Sequence, residues 1–495
     1  MKRFYLLALA ATLAFTGCKK DDGDPRPENL TIEKTEYALD AVEERTATVA
    51  FTAAADWTLS VVYDDAESSA DWLTVTPMSG TAGEQTVELS AARNFRTSDR
   101  TAYADLVCGE QSVRLTVTQT AASDATDFTA QFDEAFAKEL QKQGIIADAD
   151  NITPEDMEKI AAITSLDVAG SYDNPGTLTS LRGIEYFESL TFLKCDFNQL
   201  TSLDVRANTA LTELYCHENQ LTSLDVRANT ALTYLYCGSN QLTSLDVSAN
   251  TALTYLSCSS NSLTTLDISA NTALTFLMCV SNQLTELDVS RNTALTYLYC
   301  GSNQLTSLDV RANTALTLLS CSFNSLTSLD VSRNTALTDL DCFSNQLREL
   351  NVSANTALTE LDCASNSLTT LDVSANTALT FLMCVSNQLT SLDMRANTAL
   401  TELYCHSNQL TELNVSANTA LTDLYCFSNQ LTSLDISRNT VLTELSCSYN
   451  PGDGVSTFPV KAWFDNDTVP AGLNVHSSSW TYGGKAITID FRKAE

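Results

Sequence analysis

The sequence has few of the residues and none of the motifs on which an active site is usually built. Its 495 residues include only three histidines, His217, His406 and His476. There is no Gly-x-Ser-x-Gly motif and no glycine-rich phosphate loop, and the segment CHENQ at 216–220 lacks the second histidine of a zinc-protease helix. We therefore expect no enzymatic activity, no cofactor and no metal site.

Basic residues are also scarce. The chain carries 28 lysines and arginines against 61 acidic residues, a formal net charge of −33. Many of the acidic residues belong to a recurring Leu-Asp-Val triplet, as at Asp204, Asp225 and Asp246. Such a charge repels phosphate groups, so a nucleic acid partner is disfavoured. After residue 18, no stretch is long and apolar enough to span a bilayer.

Closely spaced cysteine pairs are missing, and a strict repeat stands in their place. Thirteen cysteines recur at one constant interval, from Cys195 through Cys216 and Cys237 to Cys447. Each lies in the frame Leu-x-x-Leu-x-Cys-x-x-Asn-x-Leu-x-x-Leu-Asp-Val-x-x-Asn-Thr-Ala, whose first full copy is 190–210. A fixed period in this range indicates stacked identical units rather than one globular domain.

The alternation within one copy predicts a short strand. Leu214 and Cys216 fall on one face, and Glu213 and Tyr215 fall on the other. A zinc site would need cysteine pairs two to four residues apart, and a disulfide between stacked copies would be strained because the Cβ vectors run parallel. We favour thiols that act as small apolar core residues and are deeply buried.

These features resemble the leucine-rich repeat family, and in particular its bacterial 21-residue class, over residues 164–450. The resemblance implies a solenoid with a curved parallel sheet. It also implies that the asparagine after each strand turns inward and bonds to neighbouring backbone, which applies here to Asn198, Asn219, Asn240 and their successors to Asn450. The expected fold is mainly β: a β-sandwich, then this solenoid, with a short helical N-terminal cap and a β-type C-terminal cap.

The start of the chain has the pattern of an export signal. Residues 1–18 contain Lys2, Arg3 and an apolar stretch, and FTGC at 15–18 resembles the lipobox of bacterial lipoproteins. That resemblance implies a lipid on Cys18, followed by a tether at 19–27. The run KKDD at 19–22 resembles the surface-export signal of Bacteroidetes lipoproteins. We therefore expect an outer membrane lipoprotein on the cell surface, touching the membrane only through its lipid.

Residues 28–121 contain Thr- and Val-rich alternating runs separated by turn signals, a pattern typical of a β-sandwich. The run WLTVTPMSG at 72–80 resembles the BACON domain, an immunoglobulin-like module with a suspected role in carbohydrate binding. Trp57 alternates in phase with Leu59 and Val61, which predicts a core position. Trp72 is out of phase with Leu73, which makes it the candidate for an exposed glycan contact. A spacer role is the alternative.

Capping segments are expected on both sides of the repeats. Residues 122–163 are expected to form a linker and a helical cap. One helix is predicted from Phe128, Phe132, Phe136 and Leu140 at i, i+4 spacing, with Asp127 as its N-cap, and a second with Thr153 as its N-cap. Residues 451–495 leave the period. There the segment ITIDF at 487–491 is predicted as a closing strand, and Trp463 and Trp480 are expected to pack on the last edge.

Recognition is expected at the variable outward positions of the strands. Two columns of such side chains contain an aromatic stripe and then a cluster of carboxylates, the latter favouring a basic partner and raising carboxylate pKa values. The alternative is that the aromatic ladder only stabilises the sheet. The candidate binding residues are Tyr215, Tyr234, Tyr236, Tyr255, Phe276, Tyr297, Tyr299, Asp339, Asp341, Glu360, Asp362, Tyr404 and Tyr425.

Two functions follow as hypotheses. The first is a surface-anchored, non-enzymatic adhesion protein, expected to be a monomer, that recognises a host or microbial surface protein or glycoprotein, with mucin glycan among the candidates. The second is a glycan-capture accessory lipoprotein of a polysaccharide-utilisation system.

Overall fold

A computed structural model describes residues 29–41, 45–63, 72–95, 98–122 and 127–494. These residues form two compact units, which divide between residues 126 and 127. We call them the sandwich unit and the repeat unit. The predictions made for the signal segment, Cys18 and the tether lie outside the described residues. None of the helices in the described ranges has the length and apolarity that a bilayer crossing requires.

The sandwich unit consists of two sheets. One sheet has the order β1-β3-β7-β5 and the other β2-β9-β8-β4-β6, with antiparallel pairing except between β2 and β9. The strands are β1 Leu30–Ile32, β2 Glu36–Leu39, β3 Thr46–Ala53, β4 Trp57–Tyr63, β5 Leu73–Thr76, β6 Ser79–Gly80, β7 Gly83–Ala91, β8 Arg100–Cys108 and β9 Gln111–Gln119.

Alternate residues of these strands form a single apolar core. Val49 and Leu89 from the first sheet and Leu106 and Leu115 from the second are fully buried within it. Trp57 is 1 % exposed, which confirms its predicted core position. The sequence pattern identified four of the five long strands, β3, β4, β7 and β9, because one face of each is buried while the other meets solvent.

The prediction of an exposed Trp72 is wrong. Its side chain is only 2 % exposed, and the Arg100 guanidinium lies 4.5 Å from its ring centroid. Trp72 precedes β5, so the alternation of that strand does not extend to it. The indole instead packs beside Tyr63, with 5.9 Å between ring centroids. A buried indole offers no face to a sugar, and the glycan contact assigned to Trp72 is withdrawn.

The repeat unit begins with a helical cap that differs in detail from the predicted one. A 3₁₀ turn at Thr129–Gln131 precedes α1 Glu134–Lys142, whose N-cap is Asp133 and not Asp127. Asp127 accepts hydrogen bonds from the backbone and hydroxyl of Thr129 instead. The chain is extended at Phe132 and Asp133, so the apolar period that we assigned to one helix spans two elements.

The second cap helix is as predicted. It is α2 Pro154–Ala162, and Thr153 and Asp156 form a reciprocal capping box at its start. Phe128, Phe132, Phe136 and Leu140 are all buried, so the predicted apolar face of the cap does form.

Fifteen strands then pair in parallel and in sequence order to form one sheet, which confirms the predicted solenoid. Each repeat strand is short and lies in register with the equivalent strand of the next copy. The strands are β10 Ser165–Asp167, β11 Phe192–Lys194, β12 Glu213–Tyr215, β13 Tyr234–Tyr236, β14 Tyr255–Ser257, β15 Phe276–Met278, β16 Tyr297–Tyr299, β17 Leu318–Ser320, β18 Asp339–Asp341, β19 Glu360–Asp362, β20 Phe381–Met383, β21 Glu402–Tyr404, β22 Asp423–Tyr425, β24 Glu444–Ser446 and β26 Asn474–His476.

Two columns of inward-facing asparagine hold the turns of neighbouring copies together. The Nδ2 group of Asn219 donates to the carbonyls of Cys195 and Cys216, and its Oδ1 accepts from the Leu200 amide at 2.9 Å. This confirms the expected inward asparagine. A second column, represented by Asn229, donates to two carbonyls of the previous copy, but its Oδ1 atoms have no hydrogen-bond partner.

The repeat cysteines are free and fully buried, each at 0 % exposure. Burial raises the thiol pKa in every copy, to about 12 at Cys258, Cys384 and Cys426. Such thiols remain protonated at neutral pH and act as small apolar side chains, as the sequence predicted.

A small sheet with the order β23-β25-β28-β27 joins the last full repeat to the C-terminal cap. Its strands are β23 Leu434–Asp435, β25 Thr457–Ala462, β27 Ser479–Tyr482 and β28 Lys485–Lys493. The predicted strand at 487–491 therefore exists, but it lies in this small sheet, and β26 closes the long one. Trp480 is buried and donates to the carbonyl of Asn450, whereas Trp463 packs edge-on against Phe464.

Candidate binding face of the repeat sheet

The outward side chains of the thirteen repeat strands form one continuous surface, which we call the strand face. Each strand buries its central leucine and turns its first and third residues away from the core. Parallel in-register pairing places equivalent residues of successive copies side by side. All the candidate binding residues named from the repeat sequence lie on this face. Their role in binding remains a prediction.

Stacked aromatic rings cover the first half of the strand face. Tyr234 and Tyr255 stack with 3.9 Å between ring centroids and 7° between ring planes, and Tyr255 and Phe276 stack at 4.3 Å and 8°. Tyr215 joins the same stack at 4.7 Å from Tyr234, although it belongs to the other column. The rings thus form a ladder that crosses from one column to the other.

Stacking changes what these rings present to a ligand. The sequence suggested solvent-facing rings, but most of the tyrosines are half-buried because their faces cover one another. Tyr297 is the most exposed of them, at 43 %. It lies at the end of the ladder, tilted 40° from Phe276. The ladder therefore offers ring edges and hydroxyl groups along most of its length, and an open ring surface near Tyr297.

The predicted carboxylate cluster lies on two neighbouring strands of the same face. Asp339 is in register with Glu360, and Asp341 is in register with Asp362. The Asp341 carboxylate accepts hydrogen bonds from the Ser320 hydroxyl at 2.8 Å and from the Phe343 amide at 3.0 Å. Burial, and then the charge of Asp341, raise the pKa of Asp362 to about 6. The expected rise in carboxylate pKa is therefore confirmed at Asp362.

Sequence reasoning missed a polar cluster at the N-terminal rim of the strand face. His217 is half-buried, 3.6 Å from the Asp196 carboxylate and stacked on Tyr236 at 3.9 Å. Burial lowers the pKa of His217 and raises that of Asp196, which is 2 % exposed. The available signal was a lone acidic residue in a column that elsewhere holds His, Gly, Ser, Val, Phe or Ala.

A second missed cluster lies at the C-terminal end of the face. His476 Nε2 is 2.7 Å from Glu444 Oε2, and Asn474 donates to the same oxygen at 2.9 Å. The hydroxyl of Tyr425 lies 3.4 Å from His476 Nε2. His476 is outside the repeating frame, so no repeat pattern could have placed it there. Across the described ranges, no three His, Cys, Asp or Glu side chains are grouped to hold a metal ion.

Protein-family models match both the sandwich unit and part of the repeats. The model of the viral BACON domain matches residues 29–122, and the model of leucine-rich repeats in two copies matches residues 209–250. Neither model describes an enzyme family. No curated protein matches the sequence.

Solved structures resemble the repeat unit. The functional domain of InlJ from Listeria monocytogenes, described as including a cysteine ladder, is 34 % identical with a TM-score of 0.59. The match covers 74 % of this chain and 98 % of that domain. The leucine-rich effector protein YopM from Yersinia pestis is 23 % identical with a TM-score of 0.50, covering 68 % of this chain and 91 % of YopM, and shows the fold alone.

Proposed function

We propose, on the premise that this chain belongs to the leucine-rich repeat family, that it is a non-enzymatic binding protein. Its ligand is a surface protein or glycoprotein, which it recognises through the strand face. The observation that carries the proposal is the composition of that face. Its variable positions hold aromatic rings and carboxylates, while the positions that form the core repeat almost without change.

The anchoring part of the proposal comes from the sequence. Cys18 carries a lipid, the segment 19–27 tethers the chain, and the protein lies on the outer face of the bacterial outer membrane in a bacterium of the Bacteroidetes. The BACON-like sandwich unit then acts as a spacer. Its buried Trp57 and Trp72 serve its core, which favours this role over a glycan platform built on tryptophan.

Glycan capture is the weaker alternative for two physical reasons. Sugar rings stack on open aromatic faces, whereas the faces of Tyr234 and Tyr255 are covered by their neighbours in the ladder. The strand face is also acidic, which disfavours the sialylated and sulfated glycans that coat mucosal surfaces. A polypeptide ligand can use the ring edges, the hydroxyl groups and the carboxylates together.

The test uses the purified chain without its signal segment and a panel of purified surface glycoproteins, each with and without enzymatic deglycosylation, beside a glycan array. The binding variant is Tyr297→Ala with Tyr299→Ala. The matched control is Tyr172→Ala with Tyr449→Ala, which removes two tyrosines that are 86 % and 53 % exposed elsewhere on the chain.

We expect binding to survive deglycosylation and to fall at least about tenfold in the strand-face variant, because buried tyrosine contacts dominate interface energies. The control should bind within about twofold of the unaltered chain. Binding that is lost on deglycosylation, or that is equal in both variants, would refute the proposal. Separately, Cys18→Ala should release the protein from the membrane fraction.

A further inference from the structure

We propose that the segment recognised by the strand face is a cationic stretch of polypeptide, rich in Lys or Arg, which lies across the strands from Tyr297 to Tyr425. This inference rests on the proposed function and specifies the chemistry of its ligand. Four observations support it. The strand face is acidic, and within the described ranges no lysine or arginine is paired with its carboxylates. Apolar and aromatic side chains lie beside the carboxylates, and the distance from Tyr297 to Tyr425 fits a short extended peptide.

The strand face is strongly biased in charge. Two residues from each of thirteen strands contribute to it, and one of these is a lysine, Lys194, near its N-terminal end. Eight are acidic, namely Glu213, Asp339, Asp341, Glu360, Asp362, Glu402, Asp423 and Glu444. All but Glu213 lie in the second half of the face, so a cation is drawn toward that half.

Several cations of the repeats are already ion-paired on another side of the copies. Arg206, Arg311 and Arg395 each pair with the aspartate two residues earlier, at 2.6 Å. In the ranges that the structure describes, no lysine or arginine forms an ion pair with any of the eight carboxylates. Glu444 alone faces an imidazole, that of His476. Within the described ranges, the chain therefore supplies no lysine or arginine to neutralise these carboxylates.

The repeat frame does not require these acids. At the position of Asp339, seven other copies carry Phe, Tyr or Leu, and at the position of Asp341, ten other copies carry Tyr, Ser or Met. The strands of these copies pair in the same register. Like charges in register on adjacent strands destabilise a sheet. At Asp362, burial and, after it, the charge of Asp341 raise the carboxyl pKa. A cationic ligand removes the repulsion.

The neighbouring side chains suit the stems of lysine and arginine. Phe381 and Met383 lie on the strand directly after Asp362, and Tyr404 and Tyr425 alternate with Glu402 and Asp423 beyond it. Long aliphatic stems pack on such apolar groups while their charged ends reach carboxylates and ring faces. Six strand intervals separate Tyr297 from Tyr425, or about 29 Å, which an extended peptide of about nine residues spans.

The test measures binding of a synthetic peptide of about nine residues, alternating Arg or Lys with Tyr or Leu, to the full chain without its signal segment. Two matched peptides replace every cation by Gln or by Glu. Titrations at about 50 and about 300 mM salt separate screened charge pairs from apolar contacts. The binding variant carries Asp339→Asn, Asp341→Asn, Glu360→Gln and Asp362→Asn.

The control variant removes four charges from another side of the repeats, by Asp246→Asn, Asp267→Asn, Asp288→Asn and Asp330→Asn. Each of these aspartates caps a serine amide two residues on, and asparagine already does the same at Asn351 and Asn414. Both variants therefore carry the same net charge, and the control should fold. In both variants, the repeat cysteines should resist labelling by a thiol reagent as they do in the unaltered chain. This measurement checks that the solenoid is intact.

We expect the cationic peptide to bind the unaltered chain. Its affinity should fall at least about tenfold at the higher salt concentration. It should also fall at least about tenfold in the strand-face variant, but about twofold or less in the control variant. Equal loss in both variants, equal binding of the Gln or Glu peptide, or no binding of the cationic peptide would overturn the inference. A glycoprotein that depends on Tyr297 and Tyr299 but not on salt or carboxylates would overturn it while leaving the proposed function standing.

Discussion

Asn345 provides the sharpest test of how the solenoid is held together. It lies near the middle of the repeats and is 9 % exposed. Its Nδ2 donates to the carbonyls of Cys321 and Cys342, both at 3.1 Å, and more weakly to that of Phe343 at 3.4 Å. Its Oδ1 accepts from the amide of Leu326 at 2.9 Å. One side chain thus ties together two consecutive copies.

The substitution Asn345→Ala should cost about 3–5 kcal/mol of unfolding free energy. The Leu326 amide is left buried without an acceptor, at a cost of about 1–3 kcal/mol, and each of the two stronger carbonyl bonds contributes about 1 kcal/mol net. The burial of the site leaves little room for water to replace them. A change to Asp should cost more at neutral pH, because a carboxylate would face three carbonyl oxygens.

The assay combines urea unfolding, followed by circular dichroism, with pulsed thiol labelling and mass mapping. In a solenoid, each copy contacts only its neighbours, so the loss should be local. We expect Cys321 and Cys342 to become labelled at lower urea than the distant thiols. The matched control is Gln346→Ala, which removes an exposed amide from the next residue and should change stability by less than about 0.5 kcal/mol.

The reasoning fails if Asn345→Ala costs less than about 1 kcal/mol, because the four contacts would then carry little of the stability. It also fails if labelling rises evenly along all thirteen cysteines, since stability would then not be transmitted from neighbour to neighbour.

Three other predictions follow from the described contacts. In the undenatured protein, no repeat cysteine should react with a thiol reagent within the time in which a small free thiol reacts fully. Prompt labelling would contradict the burial of the repeat cysteines. In urea titrations, Asp362→Asn should stabilise the chain by about 1–2 kcal/mol at pH 8, after allowance for solvent screening, and by far less at pH 4. The pKa of Asp362 in the folded chain, about 6, lies above the usual value for aspartate. The ionised carboxylate therefore lowers the stability of the native chain as the pH rises from the usual pKa to about 6, and asparagine removes this loss. Ser281 has a φ of 56°, so Ser281→Val should destabilise by about 1–2 kcal/mol and Ser281→Gly should not; equal melting temperatures for the two variants would contradict this.

Much of the fold was predictable because the chain repeats itself. The period located every repeat strand, and the inward leucine and cysteine followed from the alternation within one copy. The inward asparagine was implied by the resemblance to leucine-rich repeats. Four of the five long sandwich strands were also found, because each of them alternates buried and exposed residues. The failures lie where a residue's environment is set by distant parts of the chain. Trp72 is buried by contacts with Tyr63 and Arg100, which no local pattern shows. The first cap helix begins at Glu134 because Asp133, and not Asp127, caps it.

The candidate site shows the same division. Sequence order placed Tyr215, Tyr234 and Tyr255 on one face, and it grouped Asp339 with Glu360. It did not show that the rings stack face to face, since that depends on how side chains lean across the strand spacing. Nor did it show that His476, from the C-terminal cap, reaches Glu444.

The sequence by itself determined the architecture. A short, constant period with apolar side chains at fixed positions buries those side chains when the copies stack and share one hydrophobic core. Only the tertiary structure decided what the outer surface offers. Stacking at 3.9 Å turns solvent-facing rings into a half-buried ladder, and register brings like charges onto adjacent strands. The physical reason is that burial in the core depends on which residues each copy contains. The contacts on the strand face depend instead on the distances between neighbouring copies, which the sequence of one copy does not give.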